Sequence, residues 1–237
     1  MQNFSHIKGL LIDIDDTITR FKLADEKGGK SVQNTGSLMT VLQQAGVELA
    51  GLTPEESAAR MERVKREVRW WYWSDFIMEL GLNPKRFWDY AYDVESRYLE
   101  ATGPEIAGVL QRLHDYGTCL YITSNNPNDG VLHKLRVAGL AHNTGSRLFD
   151  QLLGVTSFQC MKWDEIYWKR VLCHTALDPH ELAVVGDNVH DDYELPHSCG
   201  IGLSFIINRF ADLSAQNTDS LIFVRDFDEI ARYIQGA

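Results

Sequence analysis

The sequence predicts an α/β fold: a doubly wound parallel sheet with a smaller helical domain attached. Three observations point there, namely short continuous apolar runs, helical stretches that alternate with them, and one long segment that breaks the alternation. Lys8 to Asp13 is mostly apolar and short, which suits a strand buried on both faces of a parallel sheet. Cys119 to Thr123, Leu182 to Val185 and Ile201 to Ile207 look the same, and Gln151 to Val155 and Leu221 to Val224 are weaker examples. Helical patterns lie between them, over Pro104 to Tyr116, Asn128 to Ala138, Trp163 to Ala176 and Phe227 to Ile234. Strands alternating with helices imply parallel pairing through right-handed crossovers.

The interruption runs from about Phe21 to Gly103 and holds no convincing buried strand. It opens with a polar segment, Lys22 to Gly36, in which Gly28-Gly29 suits a turn. A short helix is expected over Ser37 to Ala45, ending at Gly46. A longer one starts at Thr53-Pro54-Glu55-Glu56, where Thr53 and Glu56 fit a capping box and Pro54 fits the first turn. It is expected to run to about Leu80 and stop at Gly81, and another to run from Asn83-Pro84 to about Leu99. The expected division is therefore a core of residues 1–20 and 104–237 and a helical insertion of residues 21–103.

The 237 residues suffice for one core plus a smaller second one. A formal net charge of -10 argues against general nucleic-acid binding, which needs a basic face. It leaves room for an anionic small substrate, because a metal and a few cations can reverse the local field. The cysteines, Cys119, Cys160, Cys173 and Cys199, have neither CxxC nor zinc-finger spacing and read as buried free thiols. The first residues show no basic start followed by an apolar stretch, and no run of about eighteen apolar residues occurs. The expectation is a cytoplasmic protein without a membrane partner.

Asp13-Ile14-Asp15-Asp16-Thr17 directly follows the first strand. In open parallel sheets ligands bind at the carboxyl ends of strands. One carboxylate of Asp13 and Asp15 could attack phosphorus while the other moves a proton. An acidic strand end alone is as often a solvated turn. Ser124-Asn125 ends another strand, and its hydroxyl suits a phosphoryl oxygen or, more blandly, a helix cap. Gly186-Asp187-Asn188, with Asp191 and Asp192 beyond, ends a third. Several carboxylates at one place repel unless a cation joins them, and magnesium is the natural guest. The bland alternative is an acidic loop leading into a helix, where acids are favoured.

These residues resemble the four motifs of the haloacid dehalogenase superfamily. Asp13-Ile14-Asp15-Asp16-Thr17 is similar to the first, Ser124-Asn125 to the second, Lys162 to the third, and Gly186-Asp187-Asn188 with Asp191-Asp192 to the fourth. Order and spacing match across essentially the whole chain, including the Asp178-Pro179 turn before the third long strand. The resemblance implies that Asp13 attacks phosphorus and becomes an aspartyl phosphate, while Asp15 protonates the leaving group and then activates water. It implies that Ser124 and Lys162 hold the phosphoryl group, with Thr17 and Asn125 beside them. It implies Mg2+ held by Asp13, the Asp15 carbonyl and Asp187, assisted by Asp191 or Asp192; the choice between the last two stays open. Asp16 stands where glycine is commoner, and Trp163 follows Lys162 where many relatives have proline. Asp15 favours phosphate chemistry, because dehalogenases of this superfamily usually lack an acid there.

The insertion resembles the helical cap that closes over the site in many relatives and selects the substrate. Arg66, Arg69 and Lys85 are cations that could meet a substrate, though solvated helix charges are the commoner explanation. Trp70-Trp71-Tyr72-Trp73 would face all round a helix and so meet the core, a second subunit of a homo-oligomer, or a flat substrate. The expected function is a magnesium-dependent phosphatase acting on a small phosphorylated metabolite. Its rivals are a phosphomutase or other phosphotransferase, and a non-catalytic binding protein on the same fold.

Overall fold

A computed structural model describes residues 3–22, 38–67, 73–141, 148–209 and 216–236. The expected Gly28-Gly29 turn, Arg69 and Trp70 to Tyr72 lie outside the described residues. The chain divides into two compact units, Met1–Thr19 with Ala101–Ala237, and Arg20–Glu100.

The first unit is built on a six-stranded parallel sheet of β1 (Gly9–Ile12), β4 (Cys119–Thr123), β5 (Gln151–Leu153), β6 (Leu182–Gly186), β7 (Leu203–Ile207) and β8 (Leu221–Val224), in the order β5-β4-β1-β6-β7-β8. Strand β1 lies centrally because it is apolar on both sides. Leu10 and Ile12 join one buried cluster and Leu11 the other. The first cluster takes its helical side chains from α5 (Ile106–Asp115), α6 (Asn128–Val137) and α10 (Phe227–Gln235), such as Leu110, Leu135 and Ile230. The second takes Phe158 from α7 (Val155–Phe158) and Tyr167, Trp168 and Val171 from α8 (Glu165–Thr175). Helices on both faces complete the doubly wound architecture.

Register decides where the chemistry falls. Ile12 pairs with Ile122 on one side and Val185 on the other. Asp13 therefore emerges beside the ends of β4 and β6, and its N–H still bonds the Val185 carbonyl at 2.8 Å. Ser124 and Asp187 follow directly on the neighbouring strand ends.

The second unit has its own core of Val41, Leu42, Met61, Phe76, Leu80, Phe87 and neighbours. Its described helices are α1 (Leu38–Glu48), α2 (Pro54–Glu67), α3 (Trp73–Glu79) and α4 (Pro84–Glu95). The capping box forms, with the Thr53 N–H bonding Glu56 Oε2 at 2.8 Å and the Glu56 N–H bonding Thr53 Oγ1 at 3.1 Å. Two expected helix ends need correction. Helix α1 does not stop at Gly46 but reaches Glu48. Gly46 is an interior packing position, where a Cβ would come within 2.5 Å of Ser57 Oγ, and the left-handed break falls at Gly51 (φ 70°). Helix α4 ends at Glu95, and Leu99 belongs to β3 (Leu99–Ala101). That strand pairs with β2 (Thr19–Phe21) where the chain leaves and re-enters the first unit. Strands of three residues are too short to carry a pattern, so the sequence hides them.

The cysteines are free, but only Cys160 is buried, and Cys173 is exposed on the outer face of α8. Trp73 packs on Phe76 with ring centres 6.1 Å apart. Among the described residues no helix is long and apolar enough to cross a membrane.

Candidate active site

Asp13 is buried at the end of β1. The Lys162 ammonium donates to Asp13 Oδ1 at 2.7 Å and to Asp192 Oδ1 at 2.5 Å, and both Lys162 and Asp192 are buried. The main chain of Lys162 is fixed at both ends. Its N–H bonds Asn125 Oδ1 at 2.7 Å, and its carbonyl accepts from Trp168 Nε1 at 2.8 Å. The residues before α8 thus lock to the loop after β4. Trp163 itself points outward.

Asp192 arrives through a π-type turn, His190–Glu194, which precedes α9 (Leu195–Ser198). Such turns re-aim side chains near functional sites. Its Oδ2 accepts from the Asn188 N–H at 3.1 Å, and its carbonyl accepts from Ser204 Oγ at 2.7 Å. Gly186 makes the approach possible, because a Cβ there would overlap the Asp192 carboxylate. Carboxylate oxygens of Asp13, Asp187 and Asp192 lie within 4.8 Å of one another. Asp191 is not one of these three, although the nearby Lys162 charge and a hydrogen bond with Asn125 both favour its ionised form.

The electrostatics of this cluster are unfavourable without a cation. Burial pushes Asp13 up to about 8 against the pull of Lys162, with Asp192 and Asp15 adding repulsion. Partial burial, then Asp192 and Asp16, push Asp187 to about 6. Burial also raises Asp191. Burial disfavours the Lys162 ammonium, but Asp13 and Asp192 outweigh it and keep the charge. When all three carboxylates are ionised, one ammonium leaves an excess of two negative charges. All the donors are hard oxygens, so the residues present fit a small divalent cation such as magnesium.

Ser124 is buried, and its Oγ accepts from the Asn126 N–H at 3.1 Å and Asn126 Nδ2 at 3.0 Å. The Ser124 N–H bonds Tyr167 Oη at 3.1 Å, and that hydroxyl donates to the Leu153 carbonyl. Thr17 is fully buried, and its Oγ1 has no hydrogen-bond partner among the described residues. Asp16 takes the left-handed conformation (φ 54°), the physical reason glycine suits this position and aspartate is tolerated. Arg209 clasps this turn, donating to the Asp16 carbonyl at 2.7 Å and the Thr17 carbonyl at 3.0 Å.

Asp15 is half exposed, and both of its oxygens are engaged. Asn126 Nδ2 donates to Oδ2 at 2.6 Å, and the buried Lys134 ammonium donates to Oδ1. Asn126, Lys134, Tyr167, Trp168 and Arg209 were not foreseen as site residues. One signal existed: Lys134 sits with Val131 and Leu135 on the apolar stripe of α6, where a lysine is out of place. In the second unit, Lys85 pairs with Asp89 on its own helix at 2.8 Å, and Arg66 bonds the Glu62 carbonyl at 3.2 Å.

No protein-family model matches the chain. No curated protein sequence matches it either. Solved structures do. A HAD phosphatase from Thermococcus onnurineus superposes with a TM-score of 0.64 at 22% identity, covering 97% of this chain and 98% of that one. The L-2-haloacid dehalogenase from Xanthobacter autotrophicus gives 0.58 at 17% identity, covering 97% and 99%. YfnB from Bacillus subtilis, assigned to the HAD hydrolases and bound to magnesium, gives 0.57 at 14% identity, covering 96% and 98%. The fold of this chain is that of the haloacid dehalogenase superfamily.

Proposed function

We propose that the chain is a magnesium-dependent phosphatase that hydrolyses a small phosphorylated metabolite through an aspartyl phosphate on Asp13. The observation that carries this reading is the buried Lys162 ammonium shared by Asp13 and Asp192, with Asp187 alongside. A buried nucleophile paired with a lysine and two further acids suits a reaction that crowds negative charge together. Asp13, Asp187 and Asp192, with the Asp15 carbonyl, would hold the metal. Bound there, magnesium supplies the positive charge that keeps Asp13 ionised at neutral pH and offsets the charge on the phosphoryl oxygens.

In the first step an Asp13 oxygen bonds to phosphorus, the bond to the leaving oxygen breaks, and Asp15 passes that oxygen a proton. In the second, water bonds to phosphorus, Asp15 takes its proton, and the bond to Asp13 breaks. Lys162 and Ser124 balance and orient the phosphoryl oxygens through both steps. Asn125 takes part by holding the Lys162 main chain, and Thr17 by lining the turn. The second unit would act as the cap that selects the substrate. A chloride leaving group needs no proton, so Asp15 favours phosphate over haloacid as substrate. The net charge of -10 fits a partner that is a metabolite rather than nucleic acid, and the proposed location is cytoplasmic.

The test is release of inorganic phosphate from p-nitrophenyl phosphate and a panel of phosphorylated metabolites, with magnesium and with excess chelator. Turnover that needs the metal and disappears in Asp13→Asn supports the reading. Full activity in chelator, or none on any phosphate ester, overturns it.

A further inference from the structure

We infer that Lys134 and Asn126 form a positioning pair that fixes the carboxylate of Asp15 for proton transfer. The inference rests on the phosphatase reading and adds to it a division of labour between two lysines.

Lys134 projects from the second turn of α6 with its side chain 9% exposed, whereas the Asp15 side chain is 51% exposed. An ammonium buried on the apolar side of a helix is costly unless a carboxylate meets it. The cost is poorly explained by stability, because buried ion pairs contribute little to it against an apolar replacement. The aim of this one is specific. Lys134 meets one Asp15 oxygen while Asn126 meets the other at 2.6 Å. Asn126 is itself fixed through Ser124 Oγ at 3.0 Å, so the Asp15 clamp and the phosphoryl-side hydroxyl share one hydrogen-bonded frame.

A carboxylate offers about four lone-pair sites. Two donors therefore set the plane of the group and still leave sites for the leaving oxygen or a water. An exposed aspartate without them would sample several rotamers. Lys162 serves the nucleophile and Lys134 serves the proton carrier; neither can reach the other's role, because each ammonium is held by a different acid.

Lys134→Met and Lys134→Arg would be purified and shown to melt as folded proteins, then assayed on esters of graded leaving-group basicity. An acidic phenol needs little proton help, and an alkyl alcohol needs much. Lys134→Met is expected to lower kcat on alkyl phosphates ten- to a hundredfold and on p-nitrophenyl phosphate under fivefold, with KM changed under threefold. Lys134→Arg keeps the charge and should fall between. In an Asp15→Asn background, adding Lys134→Met should leave single-turnover phenol release unchanged within twofold, because there is then no proton carrier to position. Equal losses on both ester classes, or full additivity in the Asp15→Asn background, would overturn the inference. If Lys134→Met does not fold, Lys134→Arg with wild-type leaving-group dependence would overturn it equally. An inactive wild-type protein would instead remove the phosphatase reading.

Discussion

Asp192 and Asp191 are adjacent in sequence, yet only Asp192 reaches the acidic cluster, so their asparagine variants should part company. At an effective dielectric of about 20, a carboxylate 4.8 Å from another is repelled by about 3.5 kcal/mol. Asp192 has two such neighbours, Asp13 and Asp187, and one attraction, to Lys162 at 2.5 Å, of about 6.6 kcal/mol. Above about pH 8, where metal-free Asp13 is ionised as well as Asp187, the opposing effects nearly cancel. Asp192→Asn should therefore change the stability of the metal-free protein by only about 1 kcal/mol, since Asn can keep the acceptor that meets the Asn188 N–H. Metal binding has no such cancellation. A dication held among the three acids lies within 4.8 Å of Asp192 and loses at least about 1.7 kcal/mol even with water-like screening, nearly twentyfold in Kd. Asp191→Asn should cost under threefold. Calorimetric titration of metal-free protein with magnesium, beside urea unfolding in chelator, reads both quantities. Unchanged magnesium affinity in Asp192→Asn, or a larger loss in Asp191→Asn, would refute this account of the cluster.

Gly186→Ala should fold, at a cost of about 1–3 kcal/mol for overpacking. It should lose most activity, because its Cβ displaces the Asp192 carboxylate; near-normal turnover would show that Asp192 need not sit there. Burial holds Asp13 at about 8, well above its ordinary 3.8, so the folded metal-free state binds that proton more tightly than the unfolded chain. Its contribution to stability is therefore fully present below about pH 4 and lost as pH rises through 8, with Asp187 adding a loss up to about 6. Urea midpoints in chelator should fall from pH 5.5 to 8, and magnesium should flatten the fall; parallel slopes would count against it. Asp15→Asn should accumulate phosphoenzyme on Asp13 and show a burst of phenol release, whereas Asp13→Asn should show neither. Rapid-quench labelling with peptide mapping would read this, and label on another residue would rule out Asp13 as the nucleophile. Arg209→Met removes the donors to the Asp16 and Thr17 carbonyls and should loosen a turn held at φ 54°. Its kcat should drop about tenfold, a loss of about 1.4 kcal/mol in transition-state stabilisation; wild-type kcat would make the clasp merely structural.

The strands that build the site were legible because they are buried on both faces. Leu10 to Ile12 and Leu182 to Val185 admit no polar residue, so composition alone marks them. The acids after them were legible for the converse reason, since nothing in a buried strand explains Asp13 or Asp187 directly beyond it. Helix starts with side-chain caps, at Thr53 and Asn83, were readable too, because the cap is local chemistry. What failed was long-range. Gly46 looks like a stop until Ser57 is brought against it, and β2 and β3 form only because two distant triplets meet.

By itself, then, the sequence determined the parallel α/β core, the interruption after β1 and the acids at the strand ends, since these follow from burial period and local chain chemistry. It could not choose between Asp191 and Asp192, because both follow Asp187 at spacings a loop can accommodate. Tertiary structure brings Asp192 beside Asp13 and Asp187, by placing a π-type turn over the carboxylate-sized space that Gly186 leaves open. It alone also decided that Lys134, 119 residues from Asp15 along the chain, stands against it. No local pattern encodes an ion pair whose two halves meet only when α6 packs on the sheet.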